Sequence, residues 1–70
     1  MGTVVKEFGV VKMVNANQRW FFIRPDSGSD VFGHCSSTAD GRAPAVGTRV
    51  AYELGERQGR VIATSVEVLP

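Results

Sequence analysis

Two alternating runs of side chains, joined by a short turn, constrain this chain most. Arg19-Trp20-Phe21-Phe22-Ile23-Arg24 is followed by Pro25-Asp26-Ser27-Gly28-Ser29 and then by Asp30-Val31-Phe32-Gly33-His34-Cys35. Period-two alternation on both sides of a turn-rich connector of this length predicts a β-hairpin. Four of the six aromatic residues lie between Arg19 and Cys35, with the single His and the single Cys. Successive strand residues face opposite sides, so Trp20, Phe22 and Arg24 share one face and Phe21 and Ile23 the other. After the turn, Asp30, Phe32 and His34 share a face, opposite Val31, Gly33 and Cys35. Antiparallel pairing then gathers Trp20, Phe22, Phe32 and His34 on one surface. Arg24 belongs in water, which favours that surface as the outer one. The inverted arrangement, with these rings in the core, fits the periodicity nearly as well. A chain of 70 residues buries only about 60% of the surface its unfolded form exposes. Each large ring left in water is a core residue forgone, so an outward cluster implies a use for it.

The remaining segments repeat the same period, and helical periodicity is weak throughout. Gly9–Val14 reads as a first strand ended by Asn15-Ala16-Asn17, with Arg19–Arg24 and Asp30–Cys35 as the second and third. Ser36–Thr48 is the longest irregular stretch, and Ser36-Ser37-Thr38 suits a short helical turn. Arg49–Leu54 is a fourth strand with Val50, Tyr52 and Leu54 on one face, and Gly55–Gly59 reads as a turn or loop. Arg60–Leu69 is a fifth strand, with Ile62, Thr64, Val66 and Val68 on one face. Five short strands with one long connection after the third predict an all-β, five-stranded antiparallel OB-fold barrel, whose closure removes exposed edges. No repeat, linker or low-complexity block divides residues 1–70, which read as one domain.

Charge and reactive residues narrow the function. Eight Lys and Arg against seven Asp and Glu leave a net charge of +1, short of the basic footprint of many duplex-DNA binders. Binding to nucleic acid would have to rest on stacking and on where the cations sit. His34 and Cys35 are sequence neighbours, so in a strand they diverge and cannot form a nucleophile–base pair. No residues have metal-site or P-loop spacing, so neither catalysis nor a cofactor is expected. One cysteine rules out an internal disulfide. The opening Met1–Glu7 reads as neither leader nor membrane span, and Lys6 stands where an acylation signal needs Ser or Thr. The expectation is a cytoplasmic monomer with no membrane or small-molecule partner.

The hairpin and its surroundings resemble a cold-shock domain. That family carries motifs usually written Lys-Gly-Phe-Gly-Phe-Ile and Val-Phe-Val-His-Phe, beside Gln18-Arg19-Trp20-Phe21-Phe22-Ile23 and Val31-Phe32-Gly33-His34-Cys35 here. Gly9-Val10-Val11-Lys12-Met13-Val14-Asn15-Ala16 is similar to the family's Gly-Ile-Val-Lys-Trp-Phe-Asn-Ala, and Gly47-Thr48-Arg49-Val50-Ala51-Tyr52 to its Gly-Gln-Lys-Val-Ser-Phe. The connector from Pro25 to Asp30, Ser36 and the closing Ala63-Thr64-Ser65-Val66 extend the match over about residues 6 to 69. The resemblance implies an OB barrel that binds single-stranded RNA or DNA by stacking bases on outward rings, as an RNA chaperone or a modulator of transcription or translation. It implies Trp20, Phe22, Phe32 and His34 as binding residues and Lys12 as a phosphate- or base-contacting lysine. Arg24, Arg57 and Arg60 extend a positive rim suited to phosphates. The alternative is a small OB or SH3-like barrel whose aromatic patch receives a protein.

Three departures from the family pattern carry expectations of their own. Met13, Val14 and Cys35 stand at aromatic positions, implying a platform shorter by up to three rings, with Met13 still offering a polarizable contact. Trp20 in place of Phe partly compensates. Gln18-Arg19 in place of Lys-Gly moves one positive charge along the chain. Phe21 stands where the family has Gly and Gly33 where it has Val. An added ring alone would overpack a small barrel, so the two are expected to compensate, with the Phe21 ring lying over Gly33.

Overall fold

Strands form where alternation predicts them, and a computed structural model describes residues 6–70. The opening segment read above for a leader or acylation signal lies outside the described residues, except Lys6 and Glu7. The strands are β1 (Lys6–Asn15), β2 (Trp20–Pro25), β3 (Val31–His34), β4 (Arg49–Arg57) and β5 (Arg60–Val68). The only helical element described is a 3-10 turn, Cys35–Ser37, one residue ahead of its expected place. The strands close a barrel in the order β1-β2-β3-β5-β4. Four seams are antiparallel, as expected, and β3 meets β5 in parallel. A ring of strands with strictly alternating direction needs an even number, so five strands must place one parallel pair somewhere.

The barrel interior is filled by Val11, Phe21, Ile23, Val50, Tyr52, Ala63 and Val66. Each large apolar side chain among them contributes about 1.5–3 kcal/mol by leaving water. Phe21 and Ile23 are wholly buried while Arg24 is exposed, so the alternation in β2 has its rings outward at Trp20 and Phe22. Phe21 pairs with Gly33 across the hairpin. A Cβ built on Gly33 would lie 2.7 Å from Cε2 and 2.8 Å from Cζ of Phe21. The ring therefore occupies the space a side chain at position 33 would need, and the two exchanged sizes compensate.

Three expectations are corrected. β4 does not end at Leu54; it runs through Gly55 to Arg57 and turns at Gln58-Gly59, both with positive φ, in a two-residue hairpin. Beyond Glu53 the described part of β4 pairs with β5 alone, and Leu54 is accordingly 42% exposed rather than part of the Val50 and Tyr52 face in the core. In β5, the register slips between Glu53 and Leu54, skipping Thr64. A bulge of this kind flips the alternation, so Ile62, Thr64, Val66 and Val68 do not share a buried face. Ala63 and Val66 point inward, Thr64 is exposed, and Val68 at the strand end is 57% exposed.

The turn between β2 and β3 is tied back to the barrel. Asp26 donates its backbone N–H to the Phe8 carbonyl, and its carboxylate accepts from both terminal nitrogens of Arg49 at 2.9 Å. The Arg49 hydrogen bonds hold the Asp26 carboxyl below the usual carboxylate range. A depressed folded-state value means that the stabilisation is fully present above the unfolded carboxyl's pKa of about 3.9 and is lost as pH falls below that and through the lower folded value. Melting wild type and Asp26→Asn from pH 7 to pH 3 is expected to show a small gap in Tm at neutral pH that closes in acid. The pair is solvent-exposed, so added salt should shrink that gap. A gap that persists unchanged at pH 3 would remove the ion pair as its cause.

Candidate nucleic-acid interface

The β1–β2 turn sets the first ring. Asn15 Oδ1 accepts from the Gln18 backbone N–H at 3.0 Å, and Gln18 Oε1 accepts from the Trp20 indole N–H at 2.8 Å. The indole is thus held by a residue two positions before it. Ladder register then places Trp20 opposite His34, and Phe22 between Met13 of β1 and Phe32 of β3. Trp20 and Phe22 meet edge to face with centroids 5.3 Å apart, Phe22 and Phe32 likewise at 5.8 Å, and Trp20 and Phe32 tilt together at 6.1 Å. All three rings and His34 are half-buried, so each still presents surface to water. Edge-to-face packing fixes the cluster without closing it.

His34 has two jobs in this geometry. Its Nδ1 accepts from the Ser36 backbone N–H at 3.1 Å, capping the 3-10 turn, and lies 3.0 Å from Ser36 Oγ. That arrangement leaves Nε2 as the ring nitrogen turned to other partners. Cys35, the first residue of the 3-10 turn, is a buried free thiol, whereas His34 is half-buried. Among the described residues, no three His, Cys, Asp or Glu side chains converge to hold a metal.

The expected cations distribute unevenly. Arg60 places its guanidinium 5.8 Å from the centre of the Phe32 ring, a cation–π distance. Arg57 pairs with Arg60 across the β4–β5 turn. With Phe32, His34, Ser37 and Gln58 they line a cleft of about 300 Å3 alongside the rings. Arg24 is exposed and follows Trp20 and Phe22 along the same face of β2. Arg24, Arg57 and Arg60 form no ion pair among the described residues, whereas Lys6, Lys12 and Arg49 each have a carboxylate partner. Lys12 sits where the β1 register slips, and its Nζ lies 2.7 Å from Asp30. The lysine is therefore beside the platform but neutralised by Asp30.

Of the three substituted aromatic positions, only Met13 lies on the outer face, where it is 50% exposed. Val14 pairs with Phe21 and packs on the core, and Cys35 is buried. The platform in this chain is therefore trimmed at Met13, not at three places. Reading the sequence missed Gln18, Ser37 and Gln58. The two-residue Gln58-Gly59 turn between alternating runs was a signal for a hairpin tip near the rings. Nothing in the sequence marked Gln18 as the partner of the Trp20 indole.

No curated protein matches the chain. A family model described as the 'Cold-shock' DNA-binding domain matches residues 7–69, from the start of β1 to just past the end of β5. The family is one of nucleic-acid-binding, non-enzymatic domains. With its closed five-stranded barrel and a match over nearly its whole length, the chain belongs to the cold-shock domain family.

Proposed function

We propose that the chain binds single-stranded RNA or DNA, stacking bases on Trp20, Phe22 and Phe32 while Arg24, Arg57 and Arg60 hold phosphates. One observation supports this most: three half-buried rings within 6.1 Å of one another are bordered by arginines that have no carboxylate partner among the described residues. Every base has a π-face, and each stacked base contributes about 1–3 kcal/mol with little sequence preference. Unpartnered guanidiniums next to such rings add the salt-dependent attraction to a polyanion. Met13 pairs with Phe22 at the β1 edge, and a thioether offers less stacking area than a ring there. The footprint is therefore short and binding moderate. Weak, sequence-tolerant holding of unpaired strands suits an RNA chaperone or a modulator of transcription or translation.

Titration of Trp20 fluorescence with oligo-dT and oligo-U tests the reading. Both are expected to quench the indole, with affinity that falls as salt rises and stops improving beyond a few nucleotides. Fluorescence indifferent to either oligonucleotide would instead leave the patch to a protein partner.

A further inference from the structure

Among the described residues, two that are not glycine have a backbone in the left-handed region, Arg19 with φ 63° and Gln58 with φ 53°. Both sit in turns that border the aromatic face. Gln58 lines the cleft beside Phe32, and Arg19 immediately precedes Trp20. A side chain with a Cβ is disfavoured in this region, and strain of this kind concentrates at functional sites. At Arg19 the conformation is imposed from several directions. The Arg19 carbonyl accepts from the Cys35 N–H at 2.9 Å, and Asn15 holds the preceding residue's N–H. Glycine would meet the same constraints without strain.

The Arg19 side chain does little for the fold in return. It is exposed, forms no ion pair among the described residues, and donates one long hydrogen bond of 3.4 Å to the Gly41 carbonyl. A guanidinium carries five donors in a rigid fork, so most remain unused, one residue from the Trp20 ring. Building on the nucleic-acid reading above, we infer that Arg19 is a phosphate-contacting residue. The strained turn fixes the backbone from which its guanidinium extends, one residue before the ring on which a base would stack. A backbone phosphate matches the fork by charge and by bidentate geometry.

The test compares wild type, Arg19→Gly and Arg19→Lys by thermal melting and by titration with oligo-dT and oligo-U across a salt series. Arg19→Gly is expected to melt about 4–8 °C higher, because strain at one residue is relieved in a small domain. It should bind about fivefold more weakly at 0.1 M salt, with the slope of log affinity against log salt reduced by about 0.7, the loss of one phosphate contact on a single strand. Arg19→Lys keeps both charge and strain and should retain the wild-type slope. A stabilised Arg19→Gly that binds like wild type overturns the inference and leaves the nucleic-acid reading standing. A destabilised Arg19→Gly also overturns it, assigning the residue to the fold through Gly41. Failure of wild type to bind either oligonucleotide overturns both readings together.

Discussion

Gly33→Val is expected to destabilise the protein by about 1–3 kcal/mol through overpacking, although valine is the better strand former. The cause is local: the space above position 33 is filled by the Phe21 ring, which is wholly buried and has no solvent to swing into. For a domain of this size total stability is of order 0.05–0.15 kcal/mol per residue, so the loss is a large share of the whole. Phe21→Gly alone should be as damaging or worse, since truncating a buried Phe costs about 3–5 kcal/mol. The informative protein is the double variant. Combined, Phe21→Gly and Gly33→Val return a small and a medium residue to the two positions, and the double variant should be more stable than the sum of the singles predicts, with a coupling of about 0.5–3 kcal/mol. Denaturant unfolding of the four proteins measures it. Additive losses would mean that the ring and the glycine are independent, and the pairing idea would fall.

Removing a ring from the outer face should do the reverse, sparing the fold and weakening binding. Trp20→Ala and Phe32→Ala are each expected to reduce affinity for oligo-dT or oligo-U by about 5- to 150-fold, the equivalent of 1–3 kcal/mol for one stacked base. Fluorescence anisotropy of a labelled oligonucleotide is the suitable readout, because Trp20→Ala removes the intrinsic reporter. Phe32→Ala also takes away the ring on which Arg60 rests, so its effect should grow at low salt, where the freed guanidinium no longer has a fixed place beside the strand. Both rings are half-buried, so circular dichroism melts should move less than for Gly33→Val. Affinity unchanged in both variants would remove base stacking from the mechanism.

These two experiments probe opposite sides of one hairpin, and that hairpin was the most legible part of the sequence. In β2 the alternation of Trp20, Phe21, Phe22 and Ile23 is strict and ends in an arginine, so pattern alone nearly fixes the faces. The compensation of Phe21 by Gly33 was readable because each breaks a size rule that only the other can repair. Legibility failed where a single extra residue intervened. The bulge at Thr64 reverses the faces of β5, and Thr and Ser on either side of the slip carry no hydrophobic signal to reveal it. Gly55 hides the true length of β4, because glycine usually marks a turn. Here it sits in a strand, close against Thr64, where a Cβ would collide. The motif positions of Val14 and Cys35 point to the platform, yet ladder register turns the first inward and the second is buried. Lys12 could be located but not its ion pair, since Asp30 lies on another strand's approach and charge pairing across a sheet leaves no trace in local sequence.

The parallel seam required by an odd number of strands gives the barrel a clasp. Among the described residues β3 is laddered to β5 only through Phe32 with Ile62 and Gly33 with Ala63, while β4 and β5 are zipped along nearly their whole length. Even with the single bridge from Thr38 to Val66 beyond it, this is the shortest ladder among the described residues, and opening is expected first where pairing is sparsest. Phe32 stands on one side of it and Arg60 on the other, already reaching across. A strand lodged between ring and guanidinium would fasten the clasp from outside, so occupancy and closure of the barrel become one event, and the ligand's binding energy appears as resistance of the hoop to springing open.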